Sequence, residues 1–377
     1  MLSRILIIGF FPVINGISSF VMEAYRNLDK DRFQYDFLIS EKYKNNHQYL
    51  NEIEHLGGRI YYFDYDRDNF SGESINKLRE FLLSHPEIIG VHIHDTSWQS
   101  DPLVLANELK LPIKITQFHT AYGRSKSNSI KVDSSVQERI RHISGQQYVR
   151  LACSDLAGIC GYQGFSYEIM PNAININKYV YNHLYRSLIR KKLGISDNNY
   201  LIGFVANNTV PKYSTKALRV FQEFHRISPD SHLLIVGSDY NKTSFVNVYK
   251  SLDCTDHIHI LSSVNMVEML YSAMDLALCT SLSEGLPFAM IEAQATGLPC
   301  LISDEVSSMV CITDLAEQFS LEKTDLEWAE KMLQMIQSQH ERKSQTEAIK
   351  AAGYDIKDVT NNLMNIYQKC IDDYKDL

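Results

Sequence analysis

Short apolar runs alternate with longer amphipathic stretches along most of the chain. The apolar runs are rich in Ile, Leu, Val and aromatic residues, as is typical of strands that are buried on both faces of a parallel sheet. The pattern predicts strands at residues 4–10, 35–39, 59–63, 90–94, 113–118, 148–152, 200–205, 232–237, 258–261, 276–279 and 300–302. It predicts helices between them, including residues 17–28, 76–84, 216–226 and 267–273.

This alternation predicts an α/β fold with two Rossmann-like, doubly wound domains. A chain of 377 residues is also long for a single hydrophobic core. Pro171 and the Asn-rich segment after it interrupt the periodicity, so we expect a first domain at residues 1–173 and a second at residues 174–355. Residues 356–377 are expected to form a helix that packs back on the first domain.

Composition narrows the class of protein. The chain is 45% hydrophobic and 22% charged, and no apolar run approaches the roughly 18 residues of a membrane-spanning helix. Its net charge of -8 argues against nucleic acid as a partner. The apolar start of the chain is interpreted as a buried strand rather than a signal peptide. Seven cysteines without a CxxC pair indicate free thiols and a cytoplasmic location.

One stretch has a net positive charge although the chain as a whole is acidic. Between Lys114 and Arg150, seven Lys or Arg minus two acids leaves a local charge of +5. It can be a solvated loop and helix face. Alternatively, it forms a landing patch for anionic lipid or for an acceptor that carries a diphosphate.

The segment "SEGLPFAMIEAQATGLP", residues 283–299, follows a predicted strand and has the pattern of a turn that leads into a helix. Pro287 suits the first helical position. The amides of Phe288, Ala289 and Met290 then have no acceptor inside the helix. Together with the positive end of the helix dipole, they predict a phosphate site.

Two glutamates frame this site, Glu284 in the turn and Glu292 in the apolar helix. A carboxylate among apolar residues is costly unless it borders a polar cleft. Glu292 could accept ribose hydroxyls there, and Glu284 could accept hydroxyls of a sugar. The alternative is that Glu292 is an exposed helix residue and Glu284 an ordinary turn residue.

The longer segment "EGLPFAMIEAQATGLPCLISDEV" resembles the EX7E segment of the retaining GT-B glycosyltransferases, often called family 4. Further segments resemble the same family in the same order: "INGISSFVMEAYRNLDKDRFQYDFL", "QYVRLACSDLAG", "IMPNAININKY", "LLIVGSD" and "SSVNMVEMLYSAMDLALCTSLSEG". The resemblance covers roughly residues 1–310 and is strongest to bacterial capsule and exopolysaccharide glycosyltransferases.

The resemblance implies two domains facing across a cleft and a hexosyltransferase activity. The donor would be a nucleotide-sugar, UDP-hexose or UDP-N-acetylhexosamine, and its sugar would pass with retention to a hydroxyl of a glycan acceptor. A lipid-diphosphate-linked acceptor and peripheral contact with the inner membrane face are consistent with the basic stretch. No metal or other cofactor is expected.

The resemblance also implies roles for individual residues. The expected catalytic residues are Glu284, His119 and Lys212. The expected donor-binding residues are Gly16, Asn207, Lys212, Gly285, Leu286, Pro287, Phe288, Ala289 and Glu292.

Two positions depart from the family pattern. Asn15 precedes Gly16 where two glycines are common, and Asn tolerates left-handed backbone; an ordinary strand-to-helix turn is the alternative. Asn207 stands where the family carries an arginine, although Lys212 keeps the lysine five residues later. Lys216 or Lys242 is a candidate to replace the missing cation.

His119 ends the predicted strand "IKITQFH" and matches a histidine that the family places under the transferred sugar. The alternative is a structural histidine. His92, His94 and Asp95 in "VHIHD" form a weak metal-site pattern.

Other activities remain open at this point. The chain could be a non-catalytic GT-B subunit that supports another transferase, which the missing arginine favours. It could also be a UDP-sugar epimerase on the same architecture. A nicotinamide dehydrogenase is disfavoured because no GxGxxG follows the first strand.

Overall fold

The computed structural model describes residues 2–376 apart from residues 47, 65–71, 95–99, 122–147, 163, 263, 265, 339 and 340. The described residues form two compact units. The first contains the chain up to Ala173 together with the residues from Ile356 onward, and the second is Ile174–Asp355.

The first unit is built on a parallel sheet in the order β3-β2-β1-β4-β5-β6-β7. Its strands are β1 (Ser3–Ile8), β2 (Phe33–Ser40), β3 (Arg59–Phe63), β4 (Ile88–His94), β5 (Ile113–Phe118), β6 (Val149–Ala152) and β7 (Glu168–Ile169). Its helices before Ala173 are α1 (Gly16–Asn27), α2 (Leu50–His55), α3 (Glu73–Ser84), α4 (Ser100–Glu108) and α5 (Asp155–Tyr162).

The second unit repeats this plan with a parallel sheet in the order β10-β9-β8-β11-β12-β13. Its strands are β8 (Leu201–Val205), β9 (His232–Val236), β10 (Ile258–Leu261), β11 (Leu276–Cys279), β12 (Cys300–Ser303) and β13 (Ala316–Phe319). Its helices are α6 (His183–Leu193), α7 (Ser214–Ile227), α8 (Thr243–Lys250), α9 (Val267–Ala273), α10 (Phe288–Ala295), α11 (Asp325–Ser338) and α12 (Thr346–Ala351).

The last helix, α13 (Ile356–Lys375), belongs to the first unit. Its buried residues recur at helical spacing, so one apolar stripe faces the unit. The hydroxyl of Tyr367 lies 2.9 Å from that of Tyr35 on β2 and 2.8 Å from Nδ1 of His92 on β4. The end of the chain is therefore fastened to the first sheet by polar contacts as well as by apolar packing.

The predicted α/β fold with two Rossmann-like domains is confirmed. Most predicted strand bounds agree within two residues, and β1 ends before its predicted limit because Gly9 has a φ of 87°. A Cβ at Gly9 would lie 1.5 Å from the carbonyl oxygen of His94, so only glycine allows β1 and β4 to approach here. β7 and β13 were not predicted. None of the helices that the structure describes is long and apolar enough to span a bilayer.

Both sheets have the strand order in which ligands bind at the reversal point, beyond the carboxyl ends of the two central strands. In the second unit these strands are β8 and β11, which are hydrogen-bonded neighbours. A ligand-binding site is therefore expected at the loops that follow β8 and β11.

Candidate active site

The loops after β8 and β11 are tied to each other. A short 3₁₀ helix, Val210–Lys212, follows β8, and the amide of Leu282 after β11 donates to the carbonyl of Pro211 at 2.7 Å. The hydroxyl of Thr280 donates to the carbonyl of Tyr213 at 3.1 Å. These bonds bring residues about 70 positions apart in sequence to one edge of the sheet.

Lys212 and Glu284 meet at this edge in an ion pair between Nζ and Oε2. The Ser281 hydroxyl donates to the other carboxylate oxygen, Oε1. The side chain of Glu284 is 12% exposed and that of Lys212 is 28% exposed, so neither is fully withdrawn from solvent. Glu284 is thus a turn residue whose carboxylate is held by two side chains, and its role toward a sugar stays a prediction.

The thiol of Cys279 lies beneath this pair, 3.9 Å from Oε1 of Glu284. Burial, and then the negative charge of Glu284, raise the pKa of Cys279 to about 11. The thiol is therefore protonated at neutral pH and is not a nucleophile.

Helix α10 begins beside Glu284. Gly285, Leu286 and Pro287 are buried, and Phe288 and Ala289 are partly exposed. Pro287 is the N-cap, with φ of -72° and ψ of 117°, rather than the predicted first helical residue.

The amide of Met290 donates to the carbonyl of Pro287 at 3.2 Å, so the prediction that it is an open donor is wrong. Within the part of the chain that the structure describes, the amides of Phe288 and Ala289 have no acceptor. Two donors therefore stand at the positive end of the helix, where an anion is stabilised.

Glu292 is the fifth residue of α10, and its carboxylate is held between two phenols. Tyr179 Oη donates to Oε1 at 2.6 Å, and Tyr271 Oη on α9 donates to Oε2 at 2.8 Å. The alternative of an exposed helix residue is wrong, since Glu292 is only partly exposed. The sequence did not predict either tyrosine as a partner of Glu292. It indicated only that a carboxylate in an apolar helix needs hydrogen-bond donors.

Asn207 braces the loop after β8 rather than presenting a charge. Its side-chain oxygen accepts from the amide of Ser238 at 3.0 Å. Of the two lysines considered as replacements for an arginine, Lys216 is buried and pairs with Asp325 at 2.7 Å. Lys242 donates to the carbonyl of Asn208 at 2.8 Å. A second cation therefore reaches this loop from Lys242 and not from Lys216.

Gly16 is the first residue of α1 in the first unit, and a Cβ added there would meet nothing within 4 Å. Asn15 is extended, with φ of -150°, so the tolerance of Asn for left-handed backbone is not used here. Its side chain instead caps the helix by accepting from the amide of Ser18 at 2.9 Å. The turn after β1 therefore leaves space next to a helix N-terminus.

His119 follows β5 in the first unit and is 6% exposed. Its Nδ1 lies 3.2 Å from Oδ1 of Asn172, and its Nε2 lies 2.9 Å from Nδ1 of His94. Burial lowers the pKa of His119 to about 4, so the ring is neutral at physiological pH. Both ring nitrogens are thus engaged inside the unit.

Two earlier predictions lie outside the described residues. One is the part of the basic stretch at residues 122–147, which includes Arg124, Lys126 and Lys131, and the other is Asp95 of the weak metal pattern. Among the residues that the structure does describe, no three His, Cys, Asp or Glu side chains are grouped to hold a metal ion.

Comparison with known proteins adds independent information. Residues 186–352 match the family model described as "Glycosyl transferases group 1". EpsF of Bacillus subtilis (strain 168), named as a glycosyltransferase, is 25% identical over 362 residues, which cover 93% of each chain. The Escherichia coli UDP-Gal:alpha-D-GlcNAc-diphosphoundecaprenol alpha-1,3-galactosyltransferase is 24% identical over 263 residues, which cover 65% of each chain.

The fold is also similar to that of solved structures. The crystal structure of Anabaena HepE in complex with UDP superimposes with a TM-score of 0.77 at 14% identity, covering 98% of this chain and 100% of that one. The expected two-domain GT-B fold is therefore confirmed. The match of residues 186–352 to that family model and the relatives named as glycosyltransferases indicate an enzyme of the hexosyltransferase type.

Proposed function

We propose that the enzyme transfers a hexose or N-acetylhexosamine from a UDP-sugar, with retention of configuration, to a hydroxyl of a glycan acceptor in cell-surface polysaccharide synthesis. The observation that carries this proposal is the constellation at the end of β8 and β11. There, a Lys212–Glu284 ion pair stands beside the open amides of α10, and Glu292 follows further along the same helix. This arrangement suits a diphosphate that links a sugar to a ribose.

Each group has one task in the proposed mechanism. The amides of Phe288 and Ala289 and the ammonium of Lys212 bind the diphosphate, Glu284 binds the sugar, and Glu292 binds the ribose. When the donor enters, the diphosphate takes over part of the interaction that Lys212 makes with Glu284. The pre-placed charges then stabilise the leaving diphosphate without reorganising in the transition state.

The chemical step needs no covalent enzyme intermediate. The bond between the anomeric carbon and the diphosphate oxygen breaks, and a bond from that carbon to the acceptor oxygen forms. The acceptor proton passes to the leaving diphosphate. The protein contributes placement and charge stabilisation, and no metal or other cofactor takes part.

His119 and Gly16 are assigned lesser tasks. Neutral His119 would lie under the transferred sugar, and the open space at Gly16 would admit the donor diphosphate to the turn after β1. Lys242 would supply the charge that Asn207 lacks, because its ammonium reaches the adjoining residue.

For the acceptor we favour a lipid-diphosphate-linked glycan at the cytoplasmic face of the membrane. The E. coli relative is named for a diphosphoundecaprenol substrate, and the net charge of the stretch from Lys114 to Arg150 is +5, seven basic minus two acidic residues. Reversing Arg124, Lys126 and Lys131 should abolish binding to anionic vesicles at low salt. Unchanged binding would contradict this assignment.

The donor assignment is tested by thermal unfolding with UDP, GDP and ADP, since a ligand specific for the folded state raises its stability. UDP should give the largest increase in Tm. Slow release of UDP from UDP-glucose or UDP-N-acetylglucosamine without acceptor would support catalysis. A protein that binds UDP but never releases it from a sugar would instead be a non-catalytic subunit.

A further inference from the structure

The carboxylate of Glu292 receives one phenol hydrogen bond on each oxygen. Tyr179 and Tyr271 are 6% and 0% exposed, so both hydroxyls are delivered by buried rings. The rings reach Glu292 from different parts of the second unit: Tyr271 lies on α9, and Tyr179 lies before the start of α6. Two bonds from two directions fix how the carboxylate is rotated.

We propose that Tyr179 and Tyr271 are positioning residues that hold the Glu292 carboxylate in the orientation that accepts the ribose hydroxyls of the donor. This inference rests on the proposed role of Glu292. The terminal torsion of a glutamate is intrinsically broad, so an unsupported carboxylate would lose freedom each time a nucleotide binds. Holding the group beforehand removes that cost from binding.

The chemistry of the two phenols suits this task. Burial, and then the charge of Glu292, raise the pKa of Tyr271 well above its ordinary value, so the hydroxyl stays a donor at any physiological pH. A carboxylate oxygen accepts more than one hydrogen bond. A phenol on each oxygen is therefore compatible with a ribose hydroxyl on the same oxygen.

The variants Tyr179→Phe and Tyr271→Phe remove only the hydroxyls. Their Kd values should be measured by calorimetry for UDP and for 2′,3′-dideoxy-UDP, which lacks both ribose hydroxyls, with GDP and 2′,3′-dideoxy-GDP alongside. Each variant should bind UDP about tenfold more weakly, the loss expected when a charge-assisted hydrogen bond is misplaced. Affinity for the dideoxy nucleotide should change little, because that ligand makes no use of the carboxylate.

Tyr354→Phe is the matched control. Tyr354 is a buried tyrosine of the same unit whose hydroxyl donates to the carbonyl of Met309 at 2.9 Å. It should bind both nucleotides like the wild type. Equal weakening of UDP and dideoxy-UDP in the Tyr179 and Tyr271 variants would show a merely structural role. Tighter UDP binding would show that the phenols compete with ribose. Either result, or an unchanged Kd for UDP, overturns the proposal.

Glu292→Gln separates this inference from the proposed function. If this variant and the wild type do not discriminate UDP from dideoxy-UDP, Glu292 has no ribose role and both proposals fail at this residue. If Glu292→Gln loses discrimination while both phenylalanine variants keep it, only the positioning role fails. If the wild-type protein binds neither UDP nor GDP, the donor assignment itself is contradicted, and this inference fails with it.

Discussion

Lys212 and Glu284 form an ion pair that, in the proposed mechanism, a bound diphosphate shares. The two side chains lie on loops that follow neighbouring strands, and both retain some exposure to solvent. Exposed ion pairs contribute about 0–1 kcal/mol to folding, and we expect a pair that is only partly withdrawn from solvent to cost less than the roughly 3–5 kcal/mol lost when a fully buried pair is broken. In the proposed mechanism the main value of the two side chains lies in the charges that they offer to a ligand, and we expect that either side chain can be removed without unfolding the protein.

We predict that Lys212→Ala and Glu284→Ala each lower the transfer rate by about 100-fold or more, as expected for loss of a charged group facing the transition state. The Tm of both variants should stay close to that of the wild type. The measurement is kcat with a saturating UDP-sugar, paired with thermal unfolding.

Lys331→Ala is the control for this prediction, because Lys331 pairs with Glu317 at 2.7 Å in the same unit, away from the β8 and β11 loops. Its transfer rate should be unchanged. Near-normal rates in the Lys212 and Glu284 variants would contradict the proposed mechanism.

The sequence predicted which residues carry charge in the site but not how they pair. Lys212 and Glu284 are 72 positions apart, and Tyr179 and Glu292 are 113 positions apart. No local pattern encodes contacts over such separations, because they depend on which strands become neighbours. The partners of Glu292 were unpredictable for the same reason, although its need for donors followed from the apolar residues around it.

At the scale of elements, the N-terminus of α10 is the part of the site made by the backbone. Its first two amides have no acceptor in the described chain, and Pro287 caps the helix without a side-chain hydrogen bond. A backbone donor cannot be removed by changing a side chain to alanine. It can be removed by proline, which is tolerated in the first helical turn.

Ala289→Pro should therefore weaken UDP binding by about tenfold, the usual effect of losing one charge-assisted donor. Binding of uridine, which has no phosphate, should be unaffected. Ala289→Ser keeps the amide and should bind UDP like the wild type. If Ala289→Pro binds UDP normally while remaining folded by circular dichroism, the diphosphate does not dock on this helix.

Helix α13 offers a test of how the end of the chain is held. Tyr367→Phe removes the hydroxyl that lies between Tyr35 and His92, leaving buried polar groups without that partner. The free energy of unfolding in urea should fall by about 1–3 kcal/mol. Tyr374→Phe on the same helix is the control. Tyr374 is 43% exposed, so this substitution should leave the free energy of unfolding almost unchanged. Equal stability of the two variants would contradict a structural role for the Tyr367 hydroxyl.

The elements themselves were largely predictable, and the two exceptions have a physical cause. β13 reads Ala-Glu-Gln-Phe and lies at the edge of its sheet, paired only with β12. β7 has two residues, both exposed, at the edge of the other sheet. Neither strand has the continuous apolar run that marks a central strand, so each is specified by pairing with its neighbour rather than by its own sequence.

At the scale of the whole molecule, each unit contains histidines whose pKa is lowered; those of the first unit are buried and that of the second is partly exposed. In the first unit, burial lowers the pKa of His92 to about 3 and that of His119 to about 4. Burial also lowers the pKa of His94. In the second unit, burial and neighbouring histidines lower the pKa of His232 to about 4. Acid should therefore destabilise both parts of the protein, independently of any effect on catalysis.

The sign of this effect follows from proton linkage. Below a pH of about 6.5 the unfolded chain protonates these histidines while the folded protein does not, so folding loses stability as the pH falls. The fully buried histidines of the first unit therefore make the free energy of unfolding decrease as the pH falls from about 6.5 to about 4.5, above the range where most carboxylates titrate. We expect urea midpoints to decrease across this window. His94→Asn should flatten the decrease, whereas replacement of the exposed His183 by Asn should leave it unchanged. A midpoint that is constant from pH 6.5 to 4.5, or an identical slope in the His94 variant, would mean that these histidines are protonated in the folded protein.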